Sequence, residues 1–444
     1  MAASRSFSDL TIIGGGVSGL ALASALTNNP ITRSLDINLV DVKDVVKSKL
    51  SNDCFSNRVV SLNPTSQEFL KRINAWQKVD HSRVCPYKEM KVWDGIGNGS
   101  LSLFASDRDQ IASIVEIDNI KNAILNDNVK IWKSFVELEL DHESNYPIVK
   151  LENGQILLSR LVVGADGVNS VVRRYAGIES IGWDYQQKGI VATLDTSLEN
   201  SNTAWQRFLP SGPIAMLPLG RSMSSLVWSV PSKWASKLIN VDPHIFIHLV
   251  NGAFRNQPVD IEYIITQLTD DCDSKIDSES IIAELEWGRS RLDNNSGTFC
   301  PPEVIGIRHQ SRAAFPLSLS NAYAYAAPRV ALIGDAAHRI HPLAGQGLNM
   351  GLSDADALAT AIADAIYEGS DIGKFKYLYV GSEYVLRSYT RKRYAGSVGM
   401  LASVDAVGRI FGTDSSLIST ARSLGMNALD SLPLVKRILM QIAG

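Results

Sequence analysis

The chain has 444 residues, too many for one ordinary hydrophobic core, so a large discontinuous domain with a second layer is expected. Its 43 Lys and Arg against 46 Asp and Glu leave a net charge of −3, which supplies no basic field and predicts no nucleic-acid partner. Every apolar stretch is interrupted by Asp, Arg, Gly or Pro before the roughly 18 residues of a membrane span.

In chain order, Met1 to Asp9 is short and polar, without the apolar core of a signal peptide or a long Arg-rich presequence. A targeting peptide is therefore expected to be absent or already removed. Asp9 to Ile13 is a β-rich run entering GGGVSG, and an Ala/Leu helix follows from Val17 to Leu26. A second strand, Ile37 to Val40, ends at Asp41, and parallel pairing with the first would complete a βαβ unit. In Gly14-x-Gly16-x-x-Gly19 the first glycine permits a tight turn, the second lets a pyrophosphate approach the backbone, and the third lets helix pack on strand. Asp41 would accept from ribose hydroxyls. Taken alone, this pattern fits a nicotinamide module or a chance glycine turn as well as a flavin site.

Arg58, in NRVVSLNP, is a candidate nucleotide contact or a purely local residue. Leu157 to Val163 is strand-like and enters GADGVNSVVRR. There Asp166 can orient loops, and Arg173 can neutralise phosphate or hold that carboxylate, against the plainer reading of a surface ion pair. Tyr185 to Leu194 and Trp205 to Val230 alternate in the manner of an antiparallel sheet, a separate wall for a substrate. Residues 260 to 302 are polar and mostly acidic without a period, so a surface excursion is expected.

Arg329 to Ile333 is a third strand, entering GDAAHRIHPLAGQGLNMGLSDADAL. Gly334 and Asp335 stand at its end, followed by Pro342, Gly345, Gln346, Gly347 and Asn349. A carboxylate there can accept from a ribityl chain. The glycines let backbone N–H groups meet the pyrimidine edge of a flavin, which gains negative charge on reduction and suits a helix N-terminus. His338 and His341 either tune proton transfer or are satisfied structural histidines.

Helical signals then dominate, from Ala355 to Ile366, Tyr377 to Phe411 and Leu417 to the end. Arg391, Lys392 and Arg393 form a basic run that faces an acidic lipid or donor, or only solvent. Leu434, Val435, Ile438, Leu439 and Ile442 fall on one helical face beside Lys436 and Arg437, fit for packing on the body or for docking on a bilayer. The four cysteines, Cys54, Cys85, Cys272 and Cys300, form no metal-like pairs with nearby histidines. Reduced thiols, no metal site and a reducing compartment are expected.

GGGVSG, GADGVNSVVRR and LIGDAAHRIHPLAGQGLN, in that order, resemble the three fingerprints of the class A flavin monooxygenases. WQRFLPSGPIAMLPL, SLVWSVP and SRAAFPL resemble the ubiquinone-biosynthesis hydroxylase branch, particularly its mitochondrial members. The resemblance covers nearly all of the chain and is weakest over the acidic stretch. Asp41, where many relatives carry Glu, keeps the acceptor but changes its reach.

The resemblance implies an α/β fold: a three-layer Rossmann-like FAD-binding domain, an inserted antiparallel β-sheet substrate domain and a C-terminal helical region. The corresponding residues are 1–75, 113–180 and 320–370 for FAD, 76–112 and 181–319 for the substrate, and 371–444 for the helices. It implies an FAD-dependent monooxygenase in which reduced flavin and dioxygen form a hydroperoxide at carbon 4a, attacked by the ring of a polyprenylated phenol or benzoate. Wall candidates are Phe208, Leu209, Ile214, Met216 and Leu217, unless these are plain core, and Gln187 and Arg207 are candidate contacts to ring substituents. Ferredoxin and its reductase are the implied electron donors. A ubiquinone-biosynthesis complex and a peripheral site on the matrix side of the mitochondrial inner membrane are the implied setting. An oxidase or prenyl reductase on the same scaffold, or a non-catalytic flavoprotein scaffold, are the alternatives.

Overall fold

The computed structural model describes residues 5–50, 55–105, 110–125, 129–133, 137–140, 145–199, 201–269, 278–290, 299–373, 385–413 and 415–432. The strand Arg5–Ile13 turns through the glycines into the helix Val17–Asn28, and the strand Ile37–Asp41 returns parallel to it. Leu10 and Ile12 are fully buried, as strands covered on both faces require. The order across this sheet is 326–327, 330–332, 156–164, 5–13, 37–41 and 130–133. From 330–332 to 130–133 all neighbours run parallel. Their carboxyl ends therefore share one edge: Ile13 lies level with Gly164 and Val40, and Gly164 with Leu332. That edge is where an open parallel sheet binds ligands.

A second, nine-stranded sheet is built around the long strand Ser180–Thr196, with Thr203–Leu209, Gly212–Pro218, Met223–Pro231 and Ala313–Ala322 as its main members. Its pairings are antiparallel except one: Thr203–Leu209 runs parallel to Glu89–Asp94. Trp228, Ile214 and Met216 anchor a core between this sheet and the helices Ser232–Leu238 and Pro243–Arg255.

Residues 260 to 302 depart from the expected surface excursion. Pro258–Thr269 and Ser278–Ser290 are helices, and Ile261, Ile264, Ile265, Ile281 and Leu285 are buried in that same core. Their apolar residues are sparse between acidic ones, so the inward stripe is narrow and the period is hidden in the composition. Residues 270–277 and 291–298 lie outside the described residues.

The C-terminal region is helical at Val385–Phe411 and Ser416–Ser431, and the tail face from Leu434 to Ile442 lies outside the described residues. The second helix covers the edge strand Ser100–Phe104. The Ser100 N–H donates to Asn427 Oδ1 at 3.2 Å and the Ser102 N–H to Asp430 Oδ1 at 2.9 Å, so acceptors from a helix satisfy an exposed strand edge. Arg422 locks this docking. Its guanidinium forks onto the Asp94 carboxylate, Nε to Oδ2 at 2.7 Å and Nη2 to Oδ1 at 2.9 Å, with both side chains buried. Cys85 and Cys300 are free thiols, while Cys54 and Cys272 fall outside the described residues. Among the described residues no helix is long and apolar enough to cross a membrane, and no cluster of His, Cys, Asp and Glu could hold a metal ion.

Replacing Arg422 by Ala strands the Asp94 carboxylate without its counter-ion. A cost of about 3–5 kcal/mol is expected, read as a lowered urea midpoint, and an unchanged midpoint would show the pair to be dispensable.

Candidate functional site

Two helix N-termini converge on the carboxyl edge of the parallel sheet, and neither carries a side-chain cap. The helix Val17–Asn28 starts at Gly16, and the helix Gln346–Tyr367 starts at Gly345 in the left-handed conformation, φ +61°. The two helices pack on one another, with Ser18, Gly334 and Gly351 in close approach. Orphan N–H groups and two aligned helix dipoles make this edge an anion site.

The glycines of the first loop differ in what confines them. Gly14 has φ +116°, and a Cβ there would overlap the Ala165 carbonyl; at Gly19 it would overlap the Gly14 carbonyl. A Cβ on Gly16 meets nothing within 4 Å, so that position opens onto free space. Asp41 lies against this turn: Oδ2 accepts from the Gly15 N–H at 2.5 Å and Oδ1 from the Lys43 N–H at 2.8 Å. Each oxygen keeps a lone pair for a ribose hydroxyl.

The third strand end brings Gly334, φ +59°, and Asp335 to the same edge. The Asp335 side chain is solvent-accessible, yet protein atoms surround it closely enough that desolvation pushes its carboxyl above the usual range against the pull of His338 and Arg339. A group both reachable and enclosed lines a cleft. It accepts no protein hydrogen bond among the described residues, which suits an acceptor for ribityl hydroxyls.

Pro342 opens a single turn, Pro342–Ala344, that leads into Gly345. Gln346 is buried and Gly347 stands within the first turn of the long helix. Asn349 ties that turn to the neighbouring chain: its Nδ2 donates to the Ser61 carbonyl at 2.8 Å, and its Oδ1 accepts from the Asn63 N–H at 3.2 Å. Arg58, just before this segment, is exposed with no partner for its guanidinium among the described residues.

Asp166 and Arg173 support the cleft from behind. Asp166 accepts from the Ser170 hydroxyl at 2.6 Å and from the Val171 N–H at 2.7 Å, which spends the carboxylate on the start of the short helix Val171–Tyr175. Arg173 neither chelates that carboxylate nor turns outward. It donates to the Val168 carbonyl at 2.7 Å and the Ala336 carbonyl at 2.8 Å, stitching the second fingerprint to the third.

The residue that sequence reading missed is Asp354. Fully buried on the Gln346–Tyr367 helix, it accepts from the Gly334 N–H at 3.0 Å, binds His338 Nε2 at 2.6 Å and takes Arg393 Nε at 2.7 Å. Burial alone would push its carboxyl up, but His338 and Arg393 outweigh burial and hold it below the ordinary value. Arg393 thereby leaves the expected exposed basic run, because a buried carboxylate demands a counter-ion. The available signal was an Asp on the same helical stripe as the buried Ala357, Leu358 and Ala361.

Beside the loop lies a cavity of about 130 Å³, lined by Tyr185, Gln187, Phe208, Leu209, Pro210, Gly212, Pro213, His341, Leu343 and part of the Val385–Phe411 helix. Phe208 stacks on Phe411 with ring centroids 4.0 Å apart. Of the candidates, Gln187, Phe208 and Leu209 line this cavity, whereas Arg207, Ile214, Met216 and Leu217 lie outside it. Period 2 turns Arg207 away from Phe208, and its guanidinium is buried against the Ala253 carbonyl at 3.0 Å, where desolvation pushes its pKa down to about 10. Ile214 and Met216 belong to the core under the helices, and Leu217 packs beside Phe208 and Leu219 outside the cavity.

The FAD binding domain family matches residues 290–374. The ubiquinone biosynthesis monooxygenase COQ6 of Xenopus tropicalis is 36% identical, covering 98% of this chain and 93% of that protein. Those of Saccharomyces cerevisiae and Homo sapiens are each 34% identical, covering 98% of this chain and 93% and 92% of theirs. Among solved structures, PqsL of Pseudomonas aeruginosa, described as a probable FAD-dependent monooxygenase, superposes with TM-score 0.66 at 19% identity, covering 95% of this chain and all of that one. The p-nitrophenol 4-monooxygenase PnpA of Pseudomonas putida gives 0.65 at 18% identity over 99% of each chain; both show the shared fold.

Two substitutions separate the roles of these groups. Gly16→Val projects into open space, so the apoprotein should melt within about 2 °C of the parent while FAD affinity collapses; undiminished affinity would remove the pyrophosphate from that loop. Asp335→Ala should weaken FAD roughly tenfold to a hundredfold, seen by titrating flavin into apoprotein, and full flavin retention through purification would contradict the ribityl assignment.

Proposed function

The chain belongs to the COQ6-type ubiquinone biosynthesis monooxygenases, flavin-dependent hydroxylases of class A, and from that premise we propose that it hydroxylates the ring of a polyprenylated phenol or benzoate. The observation that carries this reading is a shared loop. Residues 334–349 supply Gly334, Asp335 and the helix start at Gly345 to the nucleotide edge, and the same loop supplies His341 and Leu343 to the cavity wall. A ring in that cavity is adjacent to whatever the helix terminus holds.

FAD is the cofactor, and when bound and reduced it supplies the activation of dioxygen. Gly14, Gly16, Gly19 and Asp41 would hold its adenosine and pyrophosphate part. Arg58 would reach toward it from the exposed end of its strand. Gly334 and Asp335 would take the ribityl chain, and Pro342, Gly345, Gln346, Gly347 and Asn349 the isoalloxazine. Asp166 and Arg173 would keep the loops in place. The uncapped terminus at Gly345 would stabilise negative charge on a reduced ring held there. Phe208, Leu209 and Phe411 would limit water around a bound ring, and Gln187, in the same cavity lining, would meet ring substituents.

We assign residues 1–75, 113–180 and 320–370 to the FAD-binding domain, 76–112 and 181–319 to the substrate domain and 371–444 to the helical region. The setting we propose is the matrix side of the mitochondrial inner membrane, with peripheral contact, within a ubiquinone-biosynthesis complex. Ferredoxin and its reductase would deliver the electrons. Support for the mitochondrial setting is the naming of the relatives.

The test is to reduce the purified flavoprotein with ferredoxin and its reductase, or with NADPH, then add a short-chain prenylphenol and dioxygen. A product one oxygen heavier by mass is expected. Oxygen consumption with hydrogen peroxide as the sole product would make it an oxidase instead.

A further inference from the structure

Resting on the hydroxylase reading, we propose that His341 recognises the substrate's ring hydroxyl, donating a hydrogen bond from Nε2–H that orients the phenol and favours its phenolate form. The geometry leaves the imidazole one role. Its Nδ1 accepts from the Leu343 N–H at 3.2 Å, so in the neutral ring the proton sits on Nε2. The side chain is 4% exposed, it lines the cavity, and Nε2 has no hydrogen-bond partner among the described residues. A ring nitrogen donor that lacks a protein partner, on a buried residue lining a mostly apolar cavity, is matched by a ligand acceptor.

The neighbouring strand adds a second polar group to the lining. The long strand Ser180–Thr196 shifts register between Asp184 and Gln187, with Gln186 at φ +57°, and this bulge sets Tyr185 and Gln187 in the cavity wall. Gln187 gives its Nε2 to the Ser211 carbonyl at 3.1 Å, which keeps its Oε1 as an acceptor. A neutral phenol could donate to Gln187 on entry, whereas the His341 donor is the contact that persists and strengthens when the phenol ionises. The volume, about 130 Å³, is near the roughly 150 Å³ that admits a benzene ring.

The imidazole stays neutral in the working range. Burial pushes its pKa down to about 4, and Asp405 raises it only in part. The groups facing it are Tyr185, its ring edge-on at 5.1 Å, and, on the Val385–Phe411 helix, Asp405 and Arg409. The Tyr185 hydroxyl donates to Asp405 Oδ1 at 2.9 Å and Arg409 Nε donates to Oδ2 at 2.7 Å, so the carboxylate is already engaged by both. The phenol thus gives up its proton to bulk solvent as the ring enters from the mouth of the cavity, not to His341, which keeps its own and stabilises the oxyanion.

The experiment titrates 4-nitrophenol, whose absorbance reports its ionisation, in the presence of oxidised holoenzyme and its variants. Wild type should lower the apparent pKa of the bound probe. His341→Leu should raise it by roughly one unit, a tenfold loss of phenolate stabilisation, while His341→Gln, which keeps an N–H donor, restores part of the shift. Gly408→Leu, which fills the cavity from the helix side, should abolish uptake with flavin content retained. Unaltered ionisation in His341→Leu, undiminished uptake by Gly408→Leu or no uptake by wild type would each overturn the proposal. A wild type that ionises the probe as described yet hydroxylates no prenylphenol supports the role of His341 and sinks the hydroxylase reading.

Discussion

The architecture turns on one buried carboxylate. Asp354 holds the Gly334 N–H, the His338 ring and the Arg393 guanidinium, three donors from two separate stretches of chain. An isolated carboxylate at that depth would cost several kcal/mol, and its donors offset that cost only when all are in place. The strand Val330–Leu332 therefore ends in a backbone whose conformation is imposed from below. Gly334 is free to turn upward with positive φ because its own N–H is satisfied from beneath.

With that loop held, charge complementarity follows from backbone alone. Neither Gly16 nor Gly345 offers a side chain to its helix, so the orphan N–H groups of both termini face the same edge and remain available. Asp335 and Asp41 place acceptors beside them, matching a ligand that carries phosphates flanked by hydroxyls. Arg173 makes the second and third fingerprints one rigid rim by bonding carbonyls from both. The helix start at Gly345 meets the cavity through the same loop, since the turn that leads into the long helix also presents His341 and Leu343 to the cavity wall. The Arg422–Asp94 fork fixes the C-terminal helix on that sheet and holds the Phe411 end of the cavity, because Arg422 also donates to the Ile410 carbonyl at 2.8 Å.

The local features were legible because they are short-range. A strand, a glycine turn and an Ala/Leu helix within residues 9 to 26 are specified by neighbours in sequence, and so is the parallel return of Ile37–Asp41. Alternation over Tyr185 to Leu194 and Trp205 to Val230 likewise declared an antiparallel sheet. What misled was any inference about where a side chain points. Arg207 was a candidate contact to ring substituents, but strand alternation sends it into the body. Arg393 read as part of a solvated run because its partner lies 39 positions earlier on another helix. The helices within 258–290 were hidden by their acidic outer faces.

The sequence by itself determined the class of fold, the three glycine-bearing strand ends and the order in which the chain delivers them, since glycine spacing and strand propensity act over a few residues. It determined the cofactor by resemblance to relatives built on the same loops. Tertiary structure alone decided which carboxylate is buried and which faces the cleft, why Asp354 rather than Asp166 anchors the third loop, and which wall residues border a cavity. Those outcomes depend on desolvation and on partners brought together from distant positions, and no local pattern encodes a burial that arises only when two sheets and their helices close on one another.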